Sequence, residues 1–325
     1  MKKRLDALLR LALKYHASDI HFNNFKNEFR IEMRIDDNLR KVKSENCDYK
    51  LIKYLQYLAN LDLGNLVKPQ TGQFEWVVDG ELLSLRFALI HEFQMENAVL
   101  RILNNDKRIS LDRLSSIDSQ NNYLKRVIRQ RAGLFIVTGP TSNGKTTSLY
   151  TMLNSVKNRK IFTIEDPVEI HSNSFIQVGI NEAIGLDYDE AIKQVLRHDP
   201  DIIMIGEIRD EITAKMAIRA ANTGHLVITS LHSGSCLQTI NRILELGVDL
   251  GQLKNVIVGI VNQRLYKRKD SEDKLVVMEI MDKDELDYYF KYNSVSERFI
   301  PLKKQIYAAI KANQLDPIEA EKDLI

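Results

Sequence analysis

The sequence is poor in cysteine, in long apolar runs and in net charge. Its 325 residues include two cysteines, Cys47 and Cys236, and no CxxC pair, a pattern that argues against a disulfide scaffold and against a zinc site. No apolar stretch approaches the roughly 20 residues that a membrane-spanning helix requires. The 46 basic and 44 acidic residues leave a formal charge of +2, and no basic block marks an arm that would bind nucleic acid.

The first residues look like the charged start of a signal peptide. However, Arg10 and Lys14 interrupt the apolar run, and no small-residue cleavage site follows. The leucines and alanines of this stretch recur at helical spacing, which predicts an amphipathic helix. We therefore expect a cytoplasmic protein.

The chain is long enough for two domains, each with its own core. Residues 1–105 combine short strand patterns with helical ones and predict a small α+β domain, and the polar residues 106–118 predict a linker. Within residues 119–270, apolar strands alternate with helices, which predicts a mostly parallel sheet with helices on both faces. From about Gly251 onward we expect mainly helix, apart from a strand pattern at "KLVVMEIM", so residues 271–325 are predicted to form a mostly helical C-terminal subdomain.

The stretch "GPTSNGKT", from Gly139 to Thr146, matches the pattern G-x-x-x-x-G-K-[ST] between a strand pattern and a helix pattern. Glycines let such a loop turn its backbone N–H groups toward a phosphate, the helix start adds a positive dipole end, and Lys145 supplies a mobile cation. Thr146 would then hold Mg²⁺. The predicted phosphate-binding residues are Gly139, Pro140, Thr141, Ser142, Asn143, Gly144, Lys145, Thr146 and Thr147. The alternative is an ordinary strand-to-helix turn with an exposed lysine.

Acidic residues follow two of the predicted strands. The segment "TIEDPVEI" carries Glu165, Asp166 and Glu169, and "DIIMIGEIRD" carries Glu207. Ligands of parallel sheets bind outside the carboxyl ends of the strands, so both groups are expected at the edge that holds the phosphates. Transfer of a phosphoryl group to water needs one carboxylate near Mg²⁺ and one that orients the water. The alternatives are an Asp-Pro turn with solvated acids and, for Glu207, a salt bridge with Arg209.

Two histidines flank another predicted strand, in "TGHLVITSLHSGS". A single histidine on a strand is most often a packed, hydrogen-bonded core residue. His232 follows the strand and is therefore expected at the phosphate edge, where it could sense the γ-phosphate. His225 precedes the strand and is expected to bridge packed elements.

Eight motifs, in this order, resemble those of the hexameric secretion ATPases of type II secretion, type IV pili and competence pseudopili. They are "ASDIHF", "RIDDNL", "KPQTGQF", "GPTSNGKTT", "TIEDPVE", "RHDPDIIMIGEIRD", "TGHLVITSLHS" and "VNQRL". The resemblance covers residues from about 10 to 270. It implies an α/β fold, with a RecA-like P-loop ATPase domain and a mostly parallel sheet, preceded by a small α+β, PAS-like N-terminal domain. It also implies ATP and Mg²⁺ as cofactors.

The resemblance implies roles for individual residues as well. Glu169 matches the acid that orients the attacking water, and Glu207 matches the Walker B acid at the metal. His225 and His232 match the two histidines of the family's histidine box. Glu165, Asp166 and His225 complete the implied nucleotide-binding set.

Two arginines match family residues that reach the phosphates from the N-terminal domain. They are Arg86 in "SLRFALI" and Arg101 in "AVLRIL", and their release after hydrolysis would turn the chemical step into a domain rotation. The alternative is a pair of arginines on an edge strand that face water. One family position departs here, because Gln73 stands where an arginine is usual. Another departure is the lack of a tetracysteine zinc module after "QRL", so no zinc is expected.

A short, zinc-free member of this kind resembles the ATPases that power assembly of a competence pseudopilus for DNA uptake. The resemblance implies a homohexameric ring, peripherally associated with the cytoplasmic face of the membrane. Its implied partners are a polytopic inner-membrane platform protein and, indirectly, pilin-like subunits, with no direct contact to nucleic acid. Alternatives are the motor of a type II secretion system or of another type IV pilus, a RecA-like nucleic-acid translocase, and a nucleotide-gated scaffold that hardly hydrolyses ATP.

Overall fold

The computed structural model describes residues 1–25, 28–35, 38–42, 49–64, 68–92, 95–103, 109–168, 170, 172–269 and 274–324. The chain divides into two compact units, one containing the elements within residues 1–103 and the other containing the elements within residues 109–324. Among the described residues, no helix combines the length and the hydropathy needed to cross a membrane.

In its described residues, the first unit is a six-stranded antiparallel sheet with two helices. The helices are α1 (Lys2–Lys14) and α2 (Lys50–Leu58), and the strands are β1 (Asp19–Phe25), β2 (Glu28–Ile35), β3 (Asn38–Val42), β4 (Gln70–Val78), β5 (Glu81–Glu92) and β6 (Met95–Ile102). The strands lie in the order β3-β2-β1-β6-β5-β4, and each neighbouring pair is antiparallel.

Alternation along the strands explains why this sheet has one buried face. On β5, Leu83, Leu85 and Phe87 are fully buried, because every second side chain of a strand points to the same side. The apolar stripe of α1, which includes Leu5 and Leu9, belongs to the same hydrophobic core. The amphipathic helix predicted at the start of the chain is therefore a packing element of this unit.

The second unit is built on a seven-stranded sheet. Its strands are β7 (Gly133–Thr138), β8 (Ile161–Glu165), β9 (Ile176–Gly179), β10 (Ile202–Ile205), β11 (Leu226–Leu231), β12 (Ile257–Lys267) and β13 (Lys274–Asp282). Its helices are α3 (Asp118–Ile128), α4 (Lys145–Asn154), α5 (Tyr188–Leu196), α6 (Glu211–Asn222), α7 (Cys236–Glu245), α8 (Leu250–Val256), α9 (Lys283–Tyr292), α10 (Leu302–Lys311) and α11 (Pro317–Leu324).

The strand order of this sheet is β13-β12-β7-β11-β10-β8-β9. Every neighbouring pair is parallel except β12 and β13, which are antiparallel. All residues of β7, β10 and β11 are buried, as expected for strands covered by helices on both faces. The predicted α/β fold, with a mostly parallel sheet preceded by a small α+β unit, is confirmed.

One expectation for the end of the chain is wrong. Residues 257–267 form β12, a long strand next to β7, where mainly helix was expected from Gly251 onward. The stretch is rich in β-branched residues, but the buried polar residues Asn262, Gln263 and Arg264 interrupt its apolar run, so it shows neither the alternation nor the continuous apolar pattern that would reveal a strand. Residues 274–282, the predicted strand pattern, form β13 in the same sheet, and three helices follow it.

Candidate functional site

The predicted phosphate-binding residues 139–147, which we call the cradle, run from the end of β7 into the first turn of α4. Gly139 has a φ of 148° and Gly144 a φ of 73°, in the region that favours glycine. A Cβ atom on Gly139 would lie 2.5 Å from the carbonyl oxygen of Gln263, so the loop passes β12 at a distance that a larger residue would not allow. Backbone geometry therefore requires glycine at Gly139. Of the other loop residues, Pro140, Thr141 and Ser142 are exposed, whereas Asn143, Gly144, Thr146 and Thr147 are half-buried.

Lys145 is the first residue of α4, and its side chain folds back onto the loop. Nζ donates hydrogen bonds to the carbonyl oxygens of Gly139, at 3.0 Å, and of Pro140, at 2.8 Å. Burial lowers the pKa of Lys145 to about 8; the negative charge of Glu207 opposes this shift and the positive charge of Arg264 adds to it. The ammonium group is thus held by neutral oxygens, which a phosphate, as a charged acceptor, would replace with stronger hydrogen bonds.

The loop is fixed to β12 by hydrogen bonds that its motif does not reveal. Gln263 Nε2 donates to the carbonyl oxygen of Asn143 at 2.6 Å, and the backbone N–H of Leu265 donates to Asn143 Oδ1 at 2.9 Å. On its other side, Gln263 Oε1 accepts from Ser148 Oγ of α4 at 2.9 Å. Gln263 therefore ties the loop and the helix start to the same strand, which preorganises the cradle.

Glu207 lies two residues after β10, at the sheet edge that also carries the cradle. Its carboxylate accepts from Arg209, and Oε2 lies 3.2 Å from Nε2 of His232, which directly follows β11. Arg209 also lies 3.4 Å from Asp166 Oδ2, after β8. The structure therefore brings Glu207, His232 and Asp166 together. The Arg209 salt bridge, proposed as an alternative explanation of Glu207, is present in the same cluster.

Glu165, the last residue of β8, is buried and has a packing role. Its carboxylate accepts from the hydroxyl of Tyr150, at 2.7 and 2.8 Å, and from Thr163 Oγ1, at 2.6 Å. Gln177 of β9 donates to the same Tyr150 oxygen at 2.8 Å. These bonds join α4, which begins in the cradle, to β8 and β9. Direct contact of Glu165 with nucleotide stays a prediction.

His225 is a predicted nucleotide-binding residue that the structure does not place at the cradle. His225 precedes β11, and its carbonyl oxygen accepts from the N–H of Gly133, the first residue of β7. It therefore lies at the edge of the sheet opposite the cradle, where Nδ1 lies 3.0 Å from Thr223 Oγ1 and 3.1 Å from the carbonyl oxygen of Ala220. Glu169, the predicted water-orienting acid, lies outside the described residues.

In the first unit, the two predicted arginines are neighbours. Arg86 on β5 lies opposite Arg101 on β6, and Gln73 on β4 lies on the other side of Arg86. Arg101 Nε donates to Oδ1 of the buried Asp19 at 2.7 Å, and Ser18 Oγ donates to Asp19 Oδ2 at 2.7 Å. Asp19 belongs to the motif "ASDIHF", and in the structure its carboxylate orients one of the two guanidinium groups.

The oxygen donors near the cradle suit Mg²⁺. This ion prefers hard oxygen ligands and usually takes one or two from protein, with phosphate and water oxygens as the rest. Thr146 presents a hydroxyl in the first turn of α4, and Glu207 presents a carboxylate whose charge acts on Lys145. Within the described ranges, no group of three or more His, Cys, Asp and Glu side chains is arranged to hold a metal.

The arrangement combines an anion-binding loop, a buried cation and a carboxylate with a histidine partner at one sheet edge. Such a set can bind the phosphates of a nucleotide and promote transfer of the terminal phosphoryl group to water. Sequence reasoning missed Gln263 and Arg264, which flank the loop from β12. The motif "VNQRL" marked these positions, but it carried no chemical signal of its own.

Comparison with known proteins gives a consistent answer. A family model described as type II/IV secretion system protein matches residues 1–301. The protein transport protein HofB homolog of Haemophilus influenzae is 37% identical over 270 residues, which cover 81% of this chain and 58% of that protein. The competence protein ComGA of Bacillus subtilis is 38% identical over 255 residues, which cover 77% of this chain and 71% of that protein.

The fold comparison agrees with the sequence comparison. The X-ray structure of the Legionella pneumophila ATPase DotB is 21% identical, with a TM-score of 0.76, and the match covers 98% of this chain and 95% of that one. This likeness shows the fold. The family match and the competence relative show more: the chain belongs to the type II/IV secretion system protein family, a family of secretion and pilus ATPases, and the resemblance inferred from its motifs is confirmed.

Proposed function

We propose that this secretion-family ATPase powers assembly of a type IV-like competence pseudopilus for DNA uptake, as a Mg²⁺-dependent homohexamer. It works at the cytoplasmic face of the membrane through a polytopic platform protein, and pilin-like subunits are moved indirectly. One observation supports ATPase activity above the others. The glycine loop, Lys145 and the Glu207–His232 pair follow parallel strands of one sheet and lie at the same edge of it. The competence role is supported by the 38% identity to ComGA over most of both chains.

The residues at this edge divide the chemical work. Backbone N–H groups of the loop and Nζ of Lys145 bind the phosphates and offset the charge that builds up during transfer. Thr146 and Glu207 would hold Mg²⁺, which polarises the phosphate oxygens when it is bound. His232, 3.2 Å from Glu207, keeps that carboxylate oriented and senses the terminal phosphate.

Three further residues have roles that follow from the family resemblance. Glu169 orients the attacking water. Arg86 and Arg101 are phosphate contacts, and the hydrogen bond from Arg101 to Asp19 holds one of them ready in a defined orientation. Loss of these contacts after hydrolysis is the event that converts the chemical step into movement.

The test is DNA uptake in the source cells after Lys145→Ala is introduced at the native locus, with the protein level checked by immunoblot. Uptake should collapse while the protein persists. Lys157→Ala is the matched control, because Lys157 is an exposed lysine shortly after α4, and it should leave uptake normal. Normal uptake by the Lys145→Ala strain would overturn the competence role.

Transport of secreted proteins is a second candidate, which the 37% identity to the HofB homolog favours. Export by the source cells separates the two roles, because a secretion motor predicts that Lys145→Ala blocks export and spares uptake. A nucleic-acid translocase instead predicts hydrolysis that DNA stimulates and that falls steeply with salt. A passive scaffold predicts no turnover in the purified protein.

A further inference from the structure

A buried arginine lies beside the cradle. Arg264 is on β12, and its side chain is 10% exposed. A Cβ atom on Gly139, the first glycine of the loop, would lie 3.6 Å from Arg264 Nη1. The positive charge of Arg264 also contributes to the lowered pKa of Lys145. The guanidinium group is therefore within electrostatic reach of the place where the loop receives phosphate.

The guanidinium is held by groups from three parts of the second unit. Nη1 donates to Asn262 Oδ1 at 2.7 Å, and Nη2 donates to the carbonyl oxygen of Gly234 at 3.3 Å, shortly after His232. Nε donates to Oδ1 of Asp323 at 3.1 Å. Asp323 belongs to α11, so a carboxylate from the end of the described chain neutralises a cation at the nucleotide site.

Helix α11 is short, and Asp323 is one of its main attachments. The Asp323 carboxylate also accepts from the hydroxyl of Tyr266 at 2.8 Å. Leu315, just before the helix, and Ala320 within it belong to a small apolar cluster on β12, β13 and α10. Because a helix of eight residues has little stability of its own, these few contacts determine whether it stays docked.

We infer that Arg264 is a further positioning residue of the nucleotide site. The carboxylate of Asp323 on α11 partly neutralises the Arg264 guanidinium and so weakens its attraction for the nucleotide. This inference rests on the proposed function, because it takes ATP as the anion in the cradle. A carboxylate and a phosphate would share one buried cation. Binding of either anion to Arg264 therefore weakens binding of the other. By linkage, a nucleotide that interacts with Arg264 must destabilise the docking of α11 by the same free energy.

The test compares three variants of the full chain. Asp323→Asn removes the charge and should tighten binding of a non-hydrolysable ATP analogue, measured by calorimetry with Mg²⁺, by about fivefold. Tyr266→Phe removes one hydrogen bond to Asp323 but keeps its charge, so it should loosen α11 and, by the same linkage, tighten binding by less than Asp323→Asn does. Glu321→Gln removes an exposed charge from the same helix and should change neither.

Hydrogen exchange of residues 317–324 supplies the second readout. In the wild type, the analogue should speed exchange of this helix, and in Asp323→Asn it should have no further effect. Equal affinities for Asp323→Asn and Glu321→Gln, or exchange that nucleotide leaves unchanged in the wild type, would overturn the inference and leave the proposed function intact. Failure of the wild type to bind the analogue at all would overturn both.

Discussion

We expect Lys145 to make the affinity for nucleotide depend on pH. Burial lowers its pKa to about 8, so in the free protein the side chain loses its proton as the pH rises through about 8. A phosphate stabilises the charged form, so above that pH binding must take up a proton, and affinity falls. We predict a loss of about tenfold in affinity for an ATP analogue between about pH 8 and about pH 9.5.

The comparison for this prediction is Lys145→Arg, because a guanidinium group stays protonated throughout this range. Its affinity, measured by calorimetry at each pH, should be nearly independent of pH whatever its absolute value. A wild-type affinity that stays constant over the same interval would show that Lys145 is fully charged in the free protein, contrary to its burial among neutral carbonyl oxygens.

Glu207 should separate hydrolysis from binding. Glu207→Gln keeps the size of the side chain but removes the charge that orders Arg209 and His232. Because Glu207 is a proposed ligand of the Mg²⁺ that would offset the charge developing on the transferred phosphoryl group, and loss of one such electrostatic contact typically costs about 10² to 10³ in rate, we expect kcat to fall at least about 100-fold while the analogue still binds. Glu211→Gln is the control, since Glu211 is an exposed acid on α6 that pairs with Lys215. Equal turnover by the two variants would remove Glu207 from the chemistry.

The sequence predicted the residues of this site that belong to a local pattern. Gly139 and Lys145 could be placed because they belong to one continuous motif between a strand and a helix, and Glu207 could be placed because it closely follows a strand. Gln263 and Arg264 could not, because their role depends on β12 lying next to β7, a contact between positions more than a hundred residues apart. Their chemistry is also ambiguous in isolation, since most glutamines and arginines lie at the surface.

Among the secondary-structure elements, β13 organises two helix starts through one side chain. Glu279 is buried; Oε1 accepts from the N–H of Cys236, the first residue of α7, and Oε2 accepts from the N–H of Leu302, the first residue of α10, both at 2.8 Å. The first N–H groups of a helix have no partner within the helix, and they attract negative charge. The Glu279 carboxylate thus provides a hydrogen-bond acceptor for the first N–H group of each of two helices.

We predict that Glu279→Gln lowers the free energy of unfolding of the second unit by about 1–3 kcal/mol. The amide keeps one acceptor oxygen, but its NH₂ group then faces a backbone donor. Urea denaturation followed by circular dichroism measures the change. Glu245→Gln, at an exposed ion pair with Arg242, should shift stability by less than about 0.5 kcal/mol. A change of the same size in both variants would mean that Glu279 does not support the two helices.

The strands that the sequence alone predicted best are short, continuous apolar runs between helix patterns. The strands β7, β10 and β11 alternate with helices, and that rhythm requires a parallel sheet. Strand β12 was missed because the buried polar residues Asn262, Gln263 and Arg264 interrupt its apolar run, and its helical neighbours made helix the simpler interpretation. Its place in the sheet is set by pairing with β7 and β13, and such long-range pairing leaves no local signature.

For the whole molecule, the proposed ring makes a prediction that no single chain can test. A closed ring repeats one interface around its axis, and coupling between sites then lets one chain affect its neighbours. We predict that rings assembled from equal amounts of wild-type and Lys145→Ala chains hydrolyse ATP at well below half the wild-type rate. Light scattering should first establish that each preparation has six times the mass of one chain.

The test is how the rate of ATP hydrolysis falls as the fraction of Lys145→Ala chains in the rings increases. If the rate falls in proportion to the fraction of Lys145→Ala chains, the sites act independently, and a ring in which nucleotide cycles drive concerted movement is contradicted even though every wild-type chain remains an ATPase. If the rate falls more steeply, an inactive cradle stalls its neighbours. Mixing with Lys157→Ala chains, which keep the cradle lysine, should leave the rate unchanged, so that any loss is attributable to Lys145 and not to reassembly.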